Sequence, residues 1–460
     1  MTDTADASAA EATASDRLEE APRPRRPRRD PRSRRGVVIA FFVSFSVLAA
    51  LRHWNTLPNG LFEVVTASAA VGGSMVGLRT PRRLAFIRIF VGLSFLFLLV
   101  SFLSILQSAE PAAAQKAWFR LLFSQGLGLG CYLVAADRRR IRWFTFGGLA
   151  GVGLIALGSI GALPLGGLPL GLTDDGGRLA GPVGDPNFFG QFLAVGIAIG
   201  AAVVLRERRF VVRVPGLLAV AGIIVAVLRT ESRGTLLAVV LIGVVLVVQA
   251  EHTARIVVVL VAITAVVFVT TDLENSAFER LLRAPTSVGQ ALDTGSPDDT
   301  AVGGRVSEGI AAVRMTLDHP VLGVGIGNYR FRYQDYAADI GIDGRAEERD
   351  AHNRHLEVAA ESGLVGAVAW AALIIATAVR AFGALRSRWV TPDVRMATLA
   401  WTGAFVGWLA TSVFLHDYQP EVEWLVLGAV FAAAEVARAS ELDELAAADA
   451  QWEARPAASW

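Results

Sequence analysis

The chain has 460 residues, of which 53% are hydrophobic and 18% are charged, and its mean hydropathy is +0.48. A soluble globular protein carries about 25% charged residues, so this composition excludes an ordinary cytosolic enzyme. Apolar runs of about 20 residues, the length that a helix needs to cross a bilayer, recur along the chain. They predict an all-α polytopic membrane protein.

The first 35 residues differ from the rest of the chain. Positions 1–20 hold mainly alanine, threonine, serine and acidic residues, and eight arginines follow between Arg23 and Arg35. Proline and like charges oppose a packed structure, so we predict a disordered basic arm at 1–35. Such an arm is typical of the cytoplasmic side of a membrane, where anionic lipid attracts it. A nucleic-acid partner is not expected.

Twelve apolar runs follow the arm, and each predicts a transmembrane helix. They form helices one to nine within 36–272 and helices ten to twelve within 356–437, separated by a large extracytoplasmic loop at 273–355 and followed by a cytoplasmic tail at 438–460. The runs are 36–52, 61–78, 84–106, 117–135, 141–163, 187–205, 213–229, 234–250, 254–272, 356–379, 397–415 and 421–437.

The placement of arginine predicts the orientation. Almost every second short loop is rich in arginine, the remaining one having only Arg255, and the short outer loops 53–60 and 107–116 are nearly uncharged. Arginine-rich short loops stay in the cytoplasm, so we expect both termini on that side. The arginine-rich loops are 79–83, 137–142, 206–213 and 380–395, and the outer segments are 164–186, 229–233, 273–355 and 416–420.

The outer segment 273–355 is far longer than the about 2–8 residues that usually connect helices in a bundle. We therefore predict a functional loop or a small folded lid. Its stretch 285–304 is rich in proline, glycine, serine, threonine and aspartate and predicts flexibility, whereas 305–317 is compatible with a helix.

Polar residues gather at the predicted outer ends of the helices. Ionisable groups at a membrane boundary tend to face a cavity or a partner. Glu361 lies about two turns below the membrane surface and needs a partner there, for which the nearby arginines are candidates. The residues concerned are Arg178, Asn187, Arg233, Arg305, His352, Asn353, Glu357 and Glu361, of which the last two share a helix face with Asn353.

Each of these residues, taken alone, also has a structural explanation. Arg233 could pair with Glu231 at the surface, Arg178 could be an ordinary loop residue, and His352 could cap helix ten. The converging set favours a functional site. The spacing of His352 and His355 does not match a zinc motif, so neither a metal nor another cofactor is expected.

Four segments of the chain resemble the O-antigen ligase and polymerase-like membrane proteins. Ligases of that family carry histidine and asparagine, serine or glutamine, then nine residues, then Gly-x-x-[Gly/Thr/Tyr]. His352-Asn353 is followed here after nine residues by Gly363-Leu364-Val365-Gly366. The other similar segments are Arg178 to Asn187 with Asp185-Pro186, Ser232-Arg233-Gly234, and Arg305 with His319-Pro320 and Gly323-x-Gly325-x-Gly327-Asn328-Tyr329. The resemblance covers roughly 120–437.

The resemblance implies about twelve spans and a metal-independent glycosyltransferase. Such an enzyme transfers a glycan from an undecaprenyl-diphosphate-type carrier to an acceptor hydroxyl on the outer face of the cytoplasmic membrane. Its partners are the polyprenyl-diphosphate-linked donor, a glycan, lipid or protein acceptor, and membrane lipids. By the same resemblance, His352 is the general base and Arg178, Arg233 and Arg305 bind the diphosphate. Asn187, Asn353, Glu357, Glu361, Asn328 and Tyr329 are supporting residues.

The sequence leaves two other functions open. A glycan polymerase of the same superfamily differs only in its acceptor, and the His-Asn-x9-Gly match favours a ligase. A transporter or lipid flippase would also suit twelve spans. Transporters, however, place their charges near the bilayer midplane between repeated halves, whereas the charges here lie toward one face.

Overall fold

The computed structural model describes residues 84–164, 170–249, 301–338, 348–387, 390–416 and 420–453. Within these ranges the chain is helical apart from turns and one isolated bridge between Thr173 and Leu179. The helices are α1 (Ile87–Ser104), α2 (Pro111–Ala135), α3 (Arg140–Ser159), α4 (Pro186–Arg206), α5 (Phe210–Thr230), α6 (Arg233–Gln249), α7 (Ala301–Asp318), α8 (Tyr329–Ala338), α9 (Arg354–Arg386), α10 (Pro392–Ser412) and α11 (Pro420–Glu453), with 3-10 turns at Ile105–Gln107 and Gly181–Val183.

The helices that the structure describes follow the apolar runs of the sequence. The helices α1, α3, α4, α5 and α9 are long and apolar enough to cross a membrane, and α6 is a shorter apolar helix. The chain is thus an all-helical integral membrane protein. The predicted spans 36–52, 61–78 and 254–272, like the basic arm at 1–35, lie outside the described residues. The helices α2, α10 and α11, at the predicted spans 117–135, 397–415 and 421–437, are not among the membrane-crossing helices, so the count of twelve stays a prediction.

Helix α10 lies at the centre of the bundle. It packs against α4 and α6, while α11 packs against α2. Trp401 and Trp408 of α10 and Trp424 of α11 are fully buried. Large apolar side chains on the outside of the bundle, such as Phe95 and Val368, are exposed. An apolar exterior around a buried core is what contact with lipid requires.

Arginines cluster at one end of the bundle. Arg142 pairs with Glu207 at 2.6 Å and with Asp393 at 3.1 Å, and Arg206 donates to the carbonyl of Gln249. These contacts join the start of α3, the ends of α4 and α6 and the start of α10. The opposite ends of the same helices hold the candidate site.

Helix α9 is interrupted at Gly363, whose φ of 65° lies in the left-handed region. A Cβ there would lie 2.5 Å from the carbonyl carbon of Val321, so the kink requires glycine. Beyond the kink, the amide of Leu364 donates to the carbonyl of Pro320 at 2.7 Å. The glycine that ends the His-Asn-x9-Gly pattern therefore allows the outer loop to dock onto α9.

Two more backbone hydrogen bonds complete this docking. The amides of Val324 and Gly325 donate to the carbonyls of Ala360 and Glu361 at 2.9 and 3.0 Å. The docked segment 320–328 leads into α8, and α7 packs on α9 beside it. The segment predicted as the outer loop thus contains folded elements, and the helix expected at 305–317 is present as part of α7. The loop residues 273–300 and 339–347 lie outside the described residues.

Candidate active site

Arg178 is held beside the start of α4 and the end of α5. Asp185 caps α4 by accepting from the amides of Asn187 and Phe188 at 2.7 and 3.0 Å, which fixes Asn187 at the start of the helix. The guanidinium of Arg178 donates through Nε to the carbonyl of Thr230 at 3.0 Å and through Nη2 to Oδ1 of Asn187 at 3.4 Å. Its remaining nitrogen, Nη1, lies 3.7 Å from Oδ2 of Asp174.

Arg233 is positioned by a tight turn between two helices. Helix α5 ends at Thr230, Glu231 adopts a left-handed φ of 50°, and α6 begins at Arg233. A non-glycine residue in this conformation is strained. The turn places the arginine side chain at the outer end of α6, where it is half-buried.

Arg305 reaches the same region from the outer loop. It lies on the first turns of α7 and is exposed. Among the residues that the structure describes, no carboxylate lies within ion-pair distance of its guanidinium. Its charge interacts electrostatically with the carboxylates of Glu308 and Asp185 and with the guanidinium of Arg178.

The three arginines line one cavity of about 180 Å³. This volume is below the roughly 300–1,000 Å³ of typical ligand pockets, so the cavity suits a charged headgroup and not a whole lipid-linked glycan. Three cations face one carboxylate, which gives the cavity a positive charge. The lining residues are Arg178, Asn187, Glu231, Ser232, Arg233, Gly234, Thr235, Arg305, Thr411, Phe414 and Leu415.

His352 lies beside this cavity and not in its lining. It precedes α9 with a left-handed φ of 45°, and its ring lies edge-on to that of His416 at 5.1 Å. His416 follows Leu415, which lines the cavity. Arg305 is close enough to lower the pKa of His352. The histidine and the arginine cavity are therefore neighbours.

Two acceptors surround one ring nitrogen of His352. Nδ1 lies 2.9 Å from Oε2 of Glu308 and 3.0 Å from the carbonyl oxygen of Asp350. Because an ionised carboxylate and a carbonyl can only accept, Nδ1 must carry the proton. The lone pair of the neutral ring then resides on Nε2, which has no partner among the described residues. This is the tautomer that a general base needs.

The surroundings of His352 act on its pKa in opposite directions. Partial burial is the largest effect and lowers the pKa, but the hydrogen bond and the charge of Glu308 outweigh it. The pKa of His352 is therefore raised above its ordinary value. Glu308 itself is completely buried and also pairs with Nε of Arg349 at 2.9 Å.

The other predicted site residues mostly hold the scaffold. Asn187 alone among the six supporting residues lines the cavity. Asn353 caps α9 by accepting from the amides of His355 and Leu356 at 3.0 Å each. Glu357 pairs with Arg354 at 3.3 Å.

Glu361 of α9, Asn328 and Tyr329 lie where the docked segment 320–328 meets the rest of the protein. Glu361 accepts from the amide of Tyr329 at 3.1 Å, and Oδ1 of Asn328 accepts from the amide of Glu110 at 2.7 Å. The hydroxyl of Tyr329 donates to the carbonyl of Glu308 at 2.7 Å. One partner of the buried Glu361 carboxylate is therefore a loop amide, and an arginine partner for it stays a prediction.

The sequence did not identify Glu308 and His416. The carboxylate that binds His352 is that of Glu308, and not that of the predicted supporting residues Glu357 and Glu361. One signal was present: Arg305 and Glu308 are three residues apart on the predicted loop helix, and so share a face. No sequence pattern related that helix to His352.

His355 is part of the helix packing. Its Nδ1 accepts from Nε1 of Trp370 at 3.2 Å, and its Nε2 lies 3.0 Å from the hydroxyl of Ser412. Its ring therefore serves contacts between α9 and α10 and within α9. No group of three His, Cys, Asp or Glu side chains in the described ranges is arranged to hold a metal ion.

Comparison with known families matches the O-antigen ligase family over residues 217–371. The matched region contains Ser232-Arg233-Gly234, Arg305, Glu308 and His352-Asn353, and it includes the kink at Gly363. It does not contain Arg178. No curated protein matches the chain.

Proposed function

We propose that this O-antigen ligase-like membrane protein transfers a glycan from a polyprenyl diphosphate to an acceptor hydroxyl at the outer face of the cytoplasmic membrane. The observation that carries this proposal is the convergence of Arg178, Arg233 and Arg305 on one cavity beside His352. A cationic cavity next to a base suits a reaction with an anionic leaving group.

The arginines bind the diphosphate of the donor. As the anomeric C–O bond breaks, the electron pair and growing negative charge pass to the diphosphate oxygen. A planar guanidinium donates two parallel hydrogen bonds to phosphate oxygens, and fixed cations stabilise the charge that develops in the transition state. No divalent metal is needed if the arginines supply this charge.

His352 is the general base. The acceptor oxygen attacks the anomeric carbon and forms the new C–O bond, while its proton passes to Nε2 of His352. The Nδ1–H tautomer leaves Nε2 ready for this transfer. The outer loop, docked on α9, limits access of water that would hydrolyse the donor.

The position of the site supports chemistry at one membrane face. The start of α4, the turn between α5 and α6, and the end of α10 all contribute to the cavity, whereas the arginine-rich ends lie opposite. Arginine-rich ends face the cytoplasm, which supports our proposal that the cavity lies outside. In the proposed topology both termini lie inside, 273–355 is the outer loop and there are twelve spans in all. A midplane transport site fits this arrangement poorly.

The acceptor distinguishes a ligase from a polymerase. A glycan, a lipid or a protein hydroxyl would each satisfy the proposed step, and a growing chain of the donor glycan would make the protein a polymerase. The donor is a lipid-linked glycan in either case, with the hydrocarbon chain in the bilayer. The cavity is too small to select among acceptors by itself.

The test combines a deletion strain with purified protein. Membranes of the deletion strain should accumulate a lipid-linked glycan and lack one glycan linkage in the envelope. Protein in nanodiscs, added to lipid extracted from that strain, should release undecaprenyl diphosphate and restore the linkage, both measured by mass spectrometry. An unchanged envelope glycan profile and no release of the diphosphate would refute the proposal.

A further inference from the structure

We propose that Glu308 is a positioning residue that orients the His352 ring and adjusts its basicity for the transfer reaction. The inference rests on the proposed function, in which His352 removes the acceptor proton. It adds a second residue, from a different helix, on which that step depends.

The first argument is geometric. Oε2 of Glu308 lies 2.9 Å from Nδ1 of His352, and His352 has a left-handed backbone that few non-glycine residues adopt. A strained backbone persists when its surroundings hold it. The carboxylate of Glu308 and the carbonyl of Asp350 provide that restraint by binding the same ring nitrogen.

The second argument concerns burial. Glu308 is completely buried, and a buried carboxylate without partners is strongly unfavourable. Its other oxygen lies 2.9 Å from Nε of Arg349. Because Arg349 balances part of its charge, Glu308 can stabilise the imidazolium that forms in the reaction without holding the ring permanently protonated.

The third argument concerns the charges around the ring. Glu308 and Arg305 face it from α7, Asp350 and Arg349 from its own segment, and His416 from the end of α10. Glu308 is the only carboxylate among the described residues that binds the ring directly. It is also anchored through its carbonyl by the hydroxyl of Tyr329.

Loss of the Glu308 charge should change how His352 titrates. An anion beside imidazolium favours the protonated form, so in Glu308→Gln the histidine should lose its proton at a pH lower by about one unit. Turnover should fall roughly 10-fold to 100-fold, a part of the about 10²–10⁴-fold that general-base catalysis provides. The KM for the donor should change little, since the arginines bind it.

The titration can be followed without substrate. Diethyl pyrocarbonate acylates neutral imidazole, and the His352 side chain is 32% exposed. The rate of its modification, measured against pH by peptide mass spectrometry, therefore gives the midpoint of the titration directly.

Two variants serve as controls. Glu308→Asp keeps the negative charge on a shorter side chain and should keep a midpoint near that of the unsubstituted protein. Glu348→Gln, an exposed glutamate paired with Arg330, is the matched control and should leave both midpoint and turnover unchanged.

Three results would overturn the inference. The first is an unchanged midpoint in Glu308→Gln together with turnover within twofold of the unsubstituted enzyme. The second, available even if the variants do not fold, is a midpoint at or below 6.5, the ordinary histidine value, in the unsubstituted protein. The third is a Glu348→Gln variant that reproduces the changes of Glu308→Gln. Full turnover in His352→Ala would instead reject the base in the proposed function.

Discussion

The carboxylate of Glu308 lies 2.9 Å from Nδ1 of His352, although 44 residues separate them in the chain. One turn before Glu308, the same helix presents Arg305 to the cationic cavity. A single element of the outer loop thus contacts both halves of the candidate site. A displacement of α7 would therefore move Arg305 and Glu308 together, and would change both the cavity lining and the contacts of His352.

The arginine-lined cavity predicts that an arginine-to-lysine substitution in it greatly reduces turnover. Replacing Arg178, Arg233 or Arg305 by lysine keeps the charge but loses the planar pair of donors. We expect at least one of the three variants to lose most of its turnover, by about 10²–10³-fold, as when a preorganised donor is removed from a transition state. The measurement is kcat/KM in nanodiscs, with inorganic pyrophosphate as a competing ligand.

The matched control for these variants is Arg332→Lys. Arg332 lies on α8 and pairs with Asp335 at 3.3 Å, away from the cavity lining. It should keep normal turnover. Near-normal kcat/KM in all three cavity variants would contradict bidentate binding of the diphosphate.

The rate should depend on pH in a defined direction. His352 acts as a base only when neutral, and its pKa is raised above the ordinary 6.5 because the contribution of Glu308 outweighs that of burial. Turnover should therefore rise with pH through a midpoint above 6.5. A turnover rate that is constant from pH 5 to 8, or that rises with a midpoint below pH 6.5, would be incompatible with this assignment.

Much of the fold follows from local physical chemistry. Apolar runs and arginine-rich loops predict where helices lie, because lipid requires internally satisfied backbones and apolar surfaces. The three arginines and His352 were also identifiable, since charged residues at the outer ends of apolar helices are costly and few. The cavity that joins the arginines depends on helices whose contacts the sequence does not specify.

Other features could not be read from the sequence. The run at 356–379 predicts an uninterrupted helix, whereas Gly363 breaks it in response to the docked loop segment 320–328. Glu357 and Glu361 were expected to serve the site because they share a helix face with Asn353. Their structural roles follow from contacts with Arg354 and Tyr329, which only tertiary packing creates.

The kink in α9 predicts that alanine substitutions at two glycines of this helix affect stability differently. Gly363→Ala would place a Cβ 2.5 Å from the Val321 carbonyl carbon at a left-handed φ, and we expect a loss of about 1–3 kcal/mol or more. Gly383 is helical with no atom within 4 Å of an added Cβ, so Gly383→Ala should be neutral or slightly stabilising. Thermal unfolding in detergent compares the two, and equal melting temperatures would count against the docking described.

The proposed topology predicts which introduced cysteines react from outside. Cys131 is buried and is replaced by serine to remove background labelling. A cysteine at Asp335, exposed on α8, should react with an impermeant thiol reagent in intact cells, whereas one at Arg208, exposed at the arginine-rich end, should react only after lysis. The reverse pattern would invert the orientation and move the site to the cytoplasm.

The most direct test of the whole account is the turnover of His352→Ala in nanodiscs, with release of undecaprenyl diphosphate from the lipid-linked glycan as the readout. His319→Ala is the control, because the described contacts of His319 involve its backbone alone. We predict that His352→Ala inserts and folds normally but transfers glycan about 10²–10⁴-fold more slowly, while His319→Ala stays near the normal rate. Transfer by His352→Ala at close to the normal rate would contradict the account.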